Sequence, residues 1–162
     1  MCWTCDHPGT TQADFYDHMA GLIQRCGWAV QAVERDRYRP PFAYTVGLTL
    51  YGEPELVVTG MAQRRAQRLL NGVAEHVLHA CAPEPGEVVP LEGSSTIEIV
   101  ELPHPDAHLH TAVGMLGAEH LRALQLVWAD DRGRWPWERG HRSGRGGQPV
   151  LGPRTPARRD QE

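Results

Sequence analysis

Pro40-Pro41-Phe42-Ala43-Tyr44-Thr45-Val46-Gly47-Leu48, followed after a turn by Glu55-Leu56-Val57-Val58-Thr59-Gly60, is the stretch that decides the fold. Both runs are rich in β-branched and aromatic residues, and Gly52-Glu53-Pro54 between them marks a hairpin or a short excursion between neighbouring strands. They predict the centre of a sheet. Every other long segment either offers an apolar face that can cover this sheet or carries polar chemistry for its edge.

Upstream, Gly9-Thr10-Thr11-Gln12-Ala13-Asp14 reads as a helix start, with a threonine cap and an acidic first turn. Phe15, Met19, Leu22, Ile23 and Cys26 continue it at helical spacing, and Gly27 stands where a helix commonly ends. Trp28 to Val33 then reads as the first strand. Downstream, residues 62–80 carry a second helical stripe in Ala66, Leu69, Leu70, Val73, Val77 and Leu78. Val88 to Leu91 and Thr96 to Glu101 supply two further strands around the Glu92-Gly93-Ser94-Ser95 turn, and residues 111–122 are compatible with a short helix. Ala123 to Ala129 is a near-continuous apolar run, as expected of a central strand buried on both faces. The expected fold class is α+β: a single globular domain over residues 1–152, with an antiparallel or mixed sheet of about five to six strands covered by two or three helices. Val150 and Leu151 form the one apolar pair after Trp137 and are the expected anchor of the C-terminal arm. Residues 153–162 are expected to be a disordered Arg/Pro-rich tail.

A chain of 162 residues with 41% hydrophobic content can bury one core without staples. Its four cysteines are too few for a disulfide scaffold. No apolar run approaches the roughly 18–20 residues of a membrane span, and the first residues lack the basic start and apolar stretch of a secretory signal, so a cytoplasmic protein without membrane contact is expected. The net charge of −4 conceals an asymmetry. All sixteen basic side chains are arginines, and eight fall within residues 132–162, leaving an acidic body that would repel phosphates. A nucleic-acid partner is therefore not expected, and the basic end reads as a solvated or self-docking arm.

The strongest chemical signal is Cys2-Trp3-Thr4-Cys5-Asp6-His7. Two residues between the cysteines let both thiolates reach one ion, and His7 adds a third donor. A mixed sulfur and nitrogen set favours zinc, with iron as second choice. His108 is the selected fourth ligand, while His110, Cys26, Cys81 or water remain alternatives. The His108-x-His110 pair shares one side only if the backbone there is extended. His76 and His79 are neighbours on one helical face, a spacing common by chance.

A second candidate region concentrates tryptophans and carboxylates. Trp128, Asp130, Trp135 and Trp137, with Tyr44 from the central strand, are expected to form a pocket for a planar or cationic ligand through stacking and cation–π contact. Against this stands an aromatic cluster that anchors a loop. The sequence has no glycine-rich phosphate loop after a strand, no Gly-x-Ser-x-Gly elbow and no His-Glu-x-x-His helix. Two function classes follow: a small metal-binding protein whose range includes a metalloenzyme of specialised or accessory metabolism, and a non-catalytic protein-interaction module without metal. The expected partner is a small molecule or a protein.

Pro41 to Leu48, Pro54 to Val58, Gln125 to Asp130 and Gly133-Arg134-Trp135-Pro136-Trp137 together resemble a bacterial family known as domain of unknown function 4262. The resemblance covers about residues 1–152, and the Cys-x-x-Cys-Asp-His-Pro start is similar to that of actinobacterial members. Basic content supplied by arginine alone agrees with a GC-rich genome. The family name implies no activity.

Overall fold

The computed structural model describes residues 6–93, 95–144 and 147–156. Helix α1 (Gln12–Cys26) begins with a reciprocal cap: Thr11 Oγ1 accepts from the Asp14 backbone N–H, and the Asp14 carboxylate accepts from the Thr11 N–H. Gly27 ends it in the left-handed region, returning its N–H to Ile23 O at 2.7 Å.

The strands are β1 (Ala29–Val33), β2 (Phe42–Val46), β3 (Glu55–Thr59), β4 (Val88–Pro90), β5 (Thr96–Glu101) and β6 (Ala123–Trp128). They form one mixed sheet in the order β1-β2-β3-β6-β5-β4. The β3–β6 pair is parallel and all other pairs are antiparallel. The predicted β2–β3 pairing is present, and every residue of β6 is buried. Helix α2 (Gln63–His79) follows β3, and the short α3 (His110–Leu116) precedes β6. The helix compatible with residues 111–122 stops early because Gly117, at φ 81, takes the chain out of the helical region.

The excursion between β2 and β3 is a single turn of 3-10 helix, Leu48–Tyr51, held by Glu55. The Glu55 side chain is fully buried. Its oxygens accept from Thr45 Oγ1 at 2.6 Å, Gly47 N at 2.9 Å, Thr49 N at 3.0 Å and Thr49 Oγ1 at 2.8 Å. Four donors satisfy the carboxylate, so Glu55 fixes the turn and has no remaining capacity for chemistry.

Alternation along the strands divides the core into two layers. Ala43, Leu56, Val58, Ile97, Ile99, Leu126 and Trp128 pack on the face that α2 covers. Tyr44, Val46, Val57 and Ala123 pack on the other, with Met19 and Ile23 from α1 and Ala112 from α3. α2 lies over β1, β2 and β3 and leaves the β6-β5-β4 half of its face without a helix.

On the opposite face an extended strap, residues 148–154, crosses β6 and β5. Val57 is the last β3 residue paired with β6, so the backbone of Trp128 lies beyond the end of that ladder. The Gln148 carboxamide supplies the missing partner: Oε1 accepts from Trp128 N at 2.8 Å and Nε2 donates to Trp128 O at 2.9 Å. Pro149 O accepts from Thr59 Oγ1 and Gln125 Nε2, each at 2.7 Å, and Leu151 N donates to Gln125 Oε1 at 2.7 Å. Gly60, at φ 68, is where the strap enters, and a Cβ there would collide with the Gly147 carbonyl. Of the expected Val150–Leu151 anchor, Leu151 docks against the core, and Gln148 and Pro149 hold the strap beside it. Docking continues one residue past Pro153, because Arg154 Nε and Nη2 each donate to the buried Glu98 carboxylate at 2.9 Å. Glu98 and the bonds to it raise the Arg154 pKa further. Among the described residues, no buried side-chain nitrogen or oxygen lacks a hydrogen-bond partner, and no helix is long and apolar enough to cross a membrane.

Candidate functional site

The half-face that α2 leaves open is a groove of about 710 Å³. Its helix wall is a second stripe on α2, adjacent to the core stripe of Ala66, Leu70, Ala74 and Val77: Arg65, Leu69, Gly72, Val73 and His76 recur at helical spacing and face β4 and β5. Val89, Leu91, Ile97, Ile99 and Trp128 complete an apolar floor, with Arg65 and Arg68 on the helix side and Glu87 and Glu92 on the strand side. Gly72 is mid-helix, and a Cβ added to it would meet nothing within 4 Å. No packing contact requires the glycine. Its absence of a side chain widens the groove.

Trp128 is held at one end of this groove. Its Nε1 donates to Thr59 O at 2.9 Å, and the guanidinium carbons of Arg65 and Arg142 each lie 5.5 Å from its ring centroid. The tilted His141 ring is 5.6 Å away. His141 Nδ1 lies 2.9 Å from Arg134 O and its Nε2 lies 3.4 Å from Gln148 Nε2, which fits the tautomer with the proton on Nδ1.

A second, polar cavity of about 490 Å³ adjoins the groove and shares Met61, Arg65 and Trp128 with it. Asp130 organises its wall. Oδ1 accepts from Arg132 N and Arg134 N, both at 2.9 Å, and Oδ2 accepts from Arg142 N at 2.8 Å and pairs with the Arg134 guanidinium. Burial of Asp130 raises its pKa, but these donors outweigh burial and hold the carboxyl well below the usual carboxylate range. Asp130 is therefore an ionised structural anchor, not a proton carrier at neutral pH.

Of the five residues expected to form a pocket, Trp128 and Asp130 line cavities. Tyr44 does not join them. It lies in the core layer on the opposite face of the sheet, 2% exposed, with its hydroxyl accepting from Thr111 N at 3.1 Å. Burial raises its pKa, and the Thr111 bond opposes that shift. Trp135 and Trp137 stack on each other at 5.4 Å, and Arg154 caps Trp137 at 3.6 Å from the ring centroid. They anchor the strap to the loop. The protein's own arginines take the cation–π positions on Trp128 and Trp137 that a cationic ligand was expected to fill.

Cys2 and Cys5 lie outside the described residues. His7 is exposed, and His108 closes the 3-10 turn Pro105–Ala107 directly before α3. Burial lowers the His108 pKa, reinforced by the charges of His110 and Arg39. His108 and His110 straddle a turn-to-helix junction, so the extended geometry that would align them is absent. Cys26 and Cys81 are exposed free thiols. Among the described residues, no three of His, Cys, Asp and Glu are grouped so as to hold a metal ion.

The groove residues Arg65, Gly72, Val73 and Leu91 were not among the sequence-selected candidates. The available signal was Gly72 within a helical pattern, flanked at helical spacing by Arg65, Arg68 and Leu69 on a face distinct from the core stripe.

Residues 22–142 match the family described as Domain of unknown function (DUF4262). The chain belongs to that family. No curated protein and no solved structure matches it. The DUF4262 match takes in the groove and the Asp130 loop and ends before the strap, whose residues begin at Gln148.

Proposed function

We propose that this DUF4262 domain binds a small molecule with a flat apolar body in the groove between α2 and the β4–β5 hairpin. Gly72 carries the reading. A mid-helix glycine costs about 1 kcal/mol relative to alanine, and here the space it leaves opens onto a hydrophobic floor ending at Trp128. The lining holds and orients a ligand. A cytosolic setting, in which the four cysteines stay reduced, belongs to the same proposal. The test is titration with the neutral fluorophore N-phenyl-1-naphthylamine. Saturable binding by the wild type, weakened about tenfold or more in Gly72→Leu without a lowered melting temperature, is the expected result. Equal binding by that variant, or no saturable binding by the wild type, refutes it.

The Cys2-x-x-Cys5-x-His7 spacing supports a second proposal, a zinc site at the N-terminus, with iron as the alternative ion and His108 as the distant donor. Metal content by mass spectrometry decides it. One ion per chain in untagged protein, lost in Cys2→Ser and Cys5→Ser, is expected. Unchanged stoichiometry in those variants ends the proposal, whereas unchanged stoichiometry in His108→Ala alone moves the fourth ligand elsewhere.

A further inference from the structure

The two walls of the groove carry opposite charge along its exposed rim. On the helix wall, Arg68, Gly72 and His76 follow one another at intervals of four residues, so they form one row on α2, and all three line the groove. Arg68 and His76 are exposed, whereas Leu69 and Val73 beside them are half-buried against the core. Gly72 is the gap in that row, open between a guanidinium and an imidazole. On the strand wall, Glu87 and Glu92 line the groove from either side of β4.

Some of these polar groups are already engaged. Glu87 Oε2 accepts from Glu84 N at 3.0 Å, and Arg65 is turned to Ser95 Oγ at 3.4 Å and to the Trp128 ring. Arg68, His76 and Glu92 are not: among the described residues, their side chains make no hydrogen bond and no ion pair. No ion pair therefore closes the groove from wall to wall among the described residues. Exposed charges are commonly only solvated, but these stand on opposite sides of one opening above an apolar floor.

We propose that the groove's ligand carries both an acid group and an amino group. The acid lies over Gly72 between Arg68 and His76, the ammonium pairs with Glu92, and the flat apolar body reaches the floor at Val89, Leu91 and Ile97. This rests on the groove reading and adds the ligand's chemical class, an amino acid with an aromatic side chain. A guanidinium presents several N–H donors in a plane and pairs with carboxylate oxygens two at a time, and the imidazole donates from whichever ring nitrogen holds the proton. A plain acid would leave the Glu92 carboxylate facing a like charge, and a plain amine would meet the same conflict at Arg68.

The experiment is displacement of bound N-phenyl-1-naphthylamine from the full chain by three compounds that share one ring system. Naphthylalanine carries both groups, naphthylpropanoic acid only the acid and naphthylethylamine only the amine. The amino acid is expected to displace the dye with an affinity about tenfold above that of either other compound. Arg68→Gln should weaken the amino acid and the propanoic acid about fivefold and not the amine, whereas Glu92→Gln should weaken the amino acid and the amine and not the propanoic acid. Arg64→Gln, exposed on α2 but not lining the groove, should change none of them. Unchanged dye affinity in all three variants separates a lost head-group contact from a damaged groove. Dye binding by the wild type with no displacement by the amino acid, or with its affinity unmoved by Arg68→Gln and Glu92→Gln, overturns this inference and leaves the groove standing. So does displacement by either single-group compound as tight as by the amino acid. Failure of the dye to bind the wild type overturns the groove and this inference together.

Discussion

The two faces of the β6-β5-β4 half of the sheet are closed in opposite ways. On one, the strap seals the surface with Gln148, Leu151 and Arg154, each bonded to a strand residue or to a side chain it carries. On the other, no helix among the described residues crosses Ile97 and Ile99 beyond the flank of α2, and a groove remains. The groove face carries Ile97, Ile99, Leu126 and Trp128, whereas the strap face carries Gln125 and Glu98, whose polar groups the strap satisfies. A half-sheet can be finished with extended chain as well as with a helix, and the face left unfinished is where the arginines and Gly72 collect.

If the strap is a true structural layer, deleting it has the largest consequence. Truncation after Gly147 removes the partners of Trp128 N and O, of Gln125 and of Glu98 at once, and uncovers the Leu151 contact. The expected loss is about 5 kcal/mol or more, enough to unfold a domain of ordinary stability. Circular dichroism during urea titration measures it. A cooperative transition near the wild-type midpoint would show that the strap is only an appendage.

Gln148→Ala isolates one link. Trp128 N and O lie beyond the β3 ladder and have no strand neighbour to replace the carboxamide, so about 2–3 kcal/mol should be lost. A loss below about 0.5 kcal/mol, the range of ordinary surface changes, would mean that water substitutes for the amide. Arg154→Ala, or truncation after Pro153, should cost less, about 1–2 kcal/mol, because the bidentate pair to buried Glu98 is strong but the Arg154 side chain is 48% exposed and partly screened. That loss would carry the folded domain past the expected boundary at residue 152 as far as Arg154.

The same contrast explains what the sequence disclosed. Periodicity located α1, α2 and all six strands, because apolar stripes and Gly or Pro punctuation are local signals. The capping of α1 by Thr11 and its end at Gly27 were equally legible. The sites were less so. Tyr44 and Trp128 were joined in expectation although β-strand alternation and the sheet order place them in different core layers. Trp135 and Trp137 signalled a pocket by density, yet their partner is Arg154, 17 residues beyond Trp137 in the chain, and the strap that carries it had no periodic pattern. Long-range pairings such as Glu98 with Arg154 leave no spacing to read.

The smallest expected effect tests the open face. Gly72→Ala adds a methyl group that meets no atom within 4 Å and removes the conformational freedom that glycine gives the unfolded chain. Stability should rise by about 0.8–1 kcal/mol, or roughly 2–4 °C in melting temperature for a chain of this length. Binding should move the other way. The methyl group projects into the groove, so affinity for the neutral dye should fall slightly in Gly72→Ala and severely in Gly72→Leu, while both proteins melt no lower than the wild type. Opposite signs for stability and affinity are what a glycine kept for ligand space must produce. A glycine kept for the helix itself would lose stability when substituted, and one with no role would leave binding untouched; calorimetry and dye titration on the same two variants separate the three.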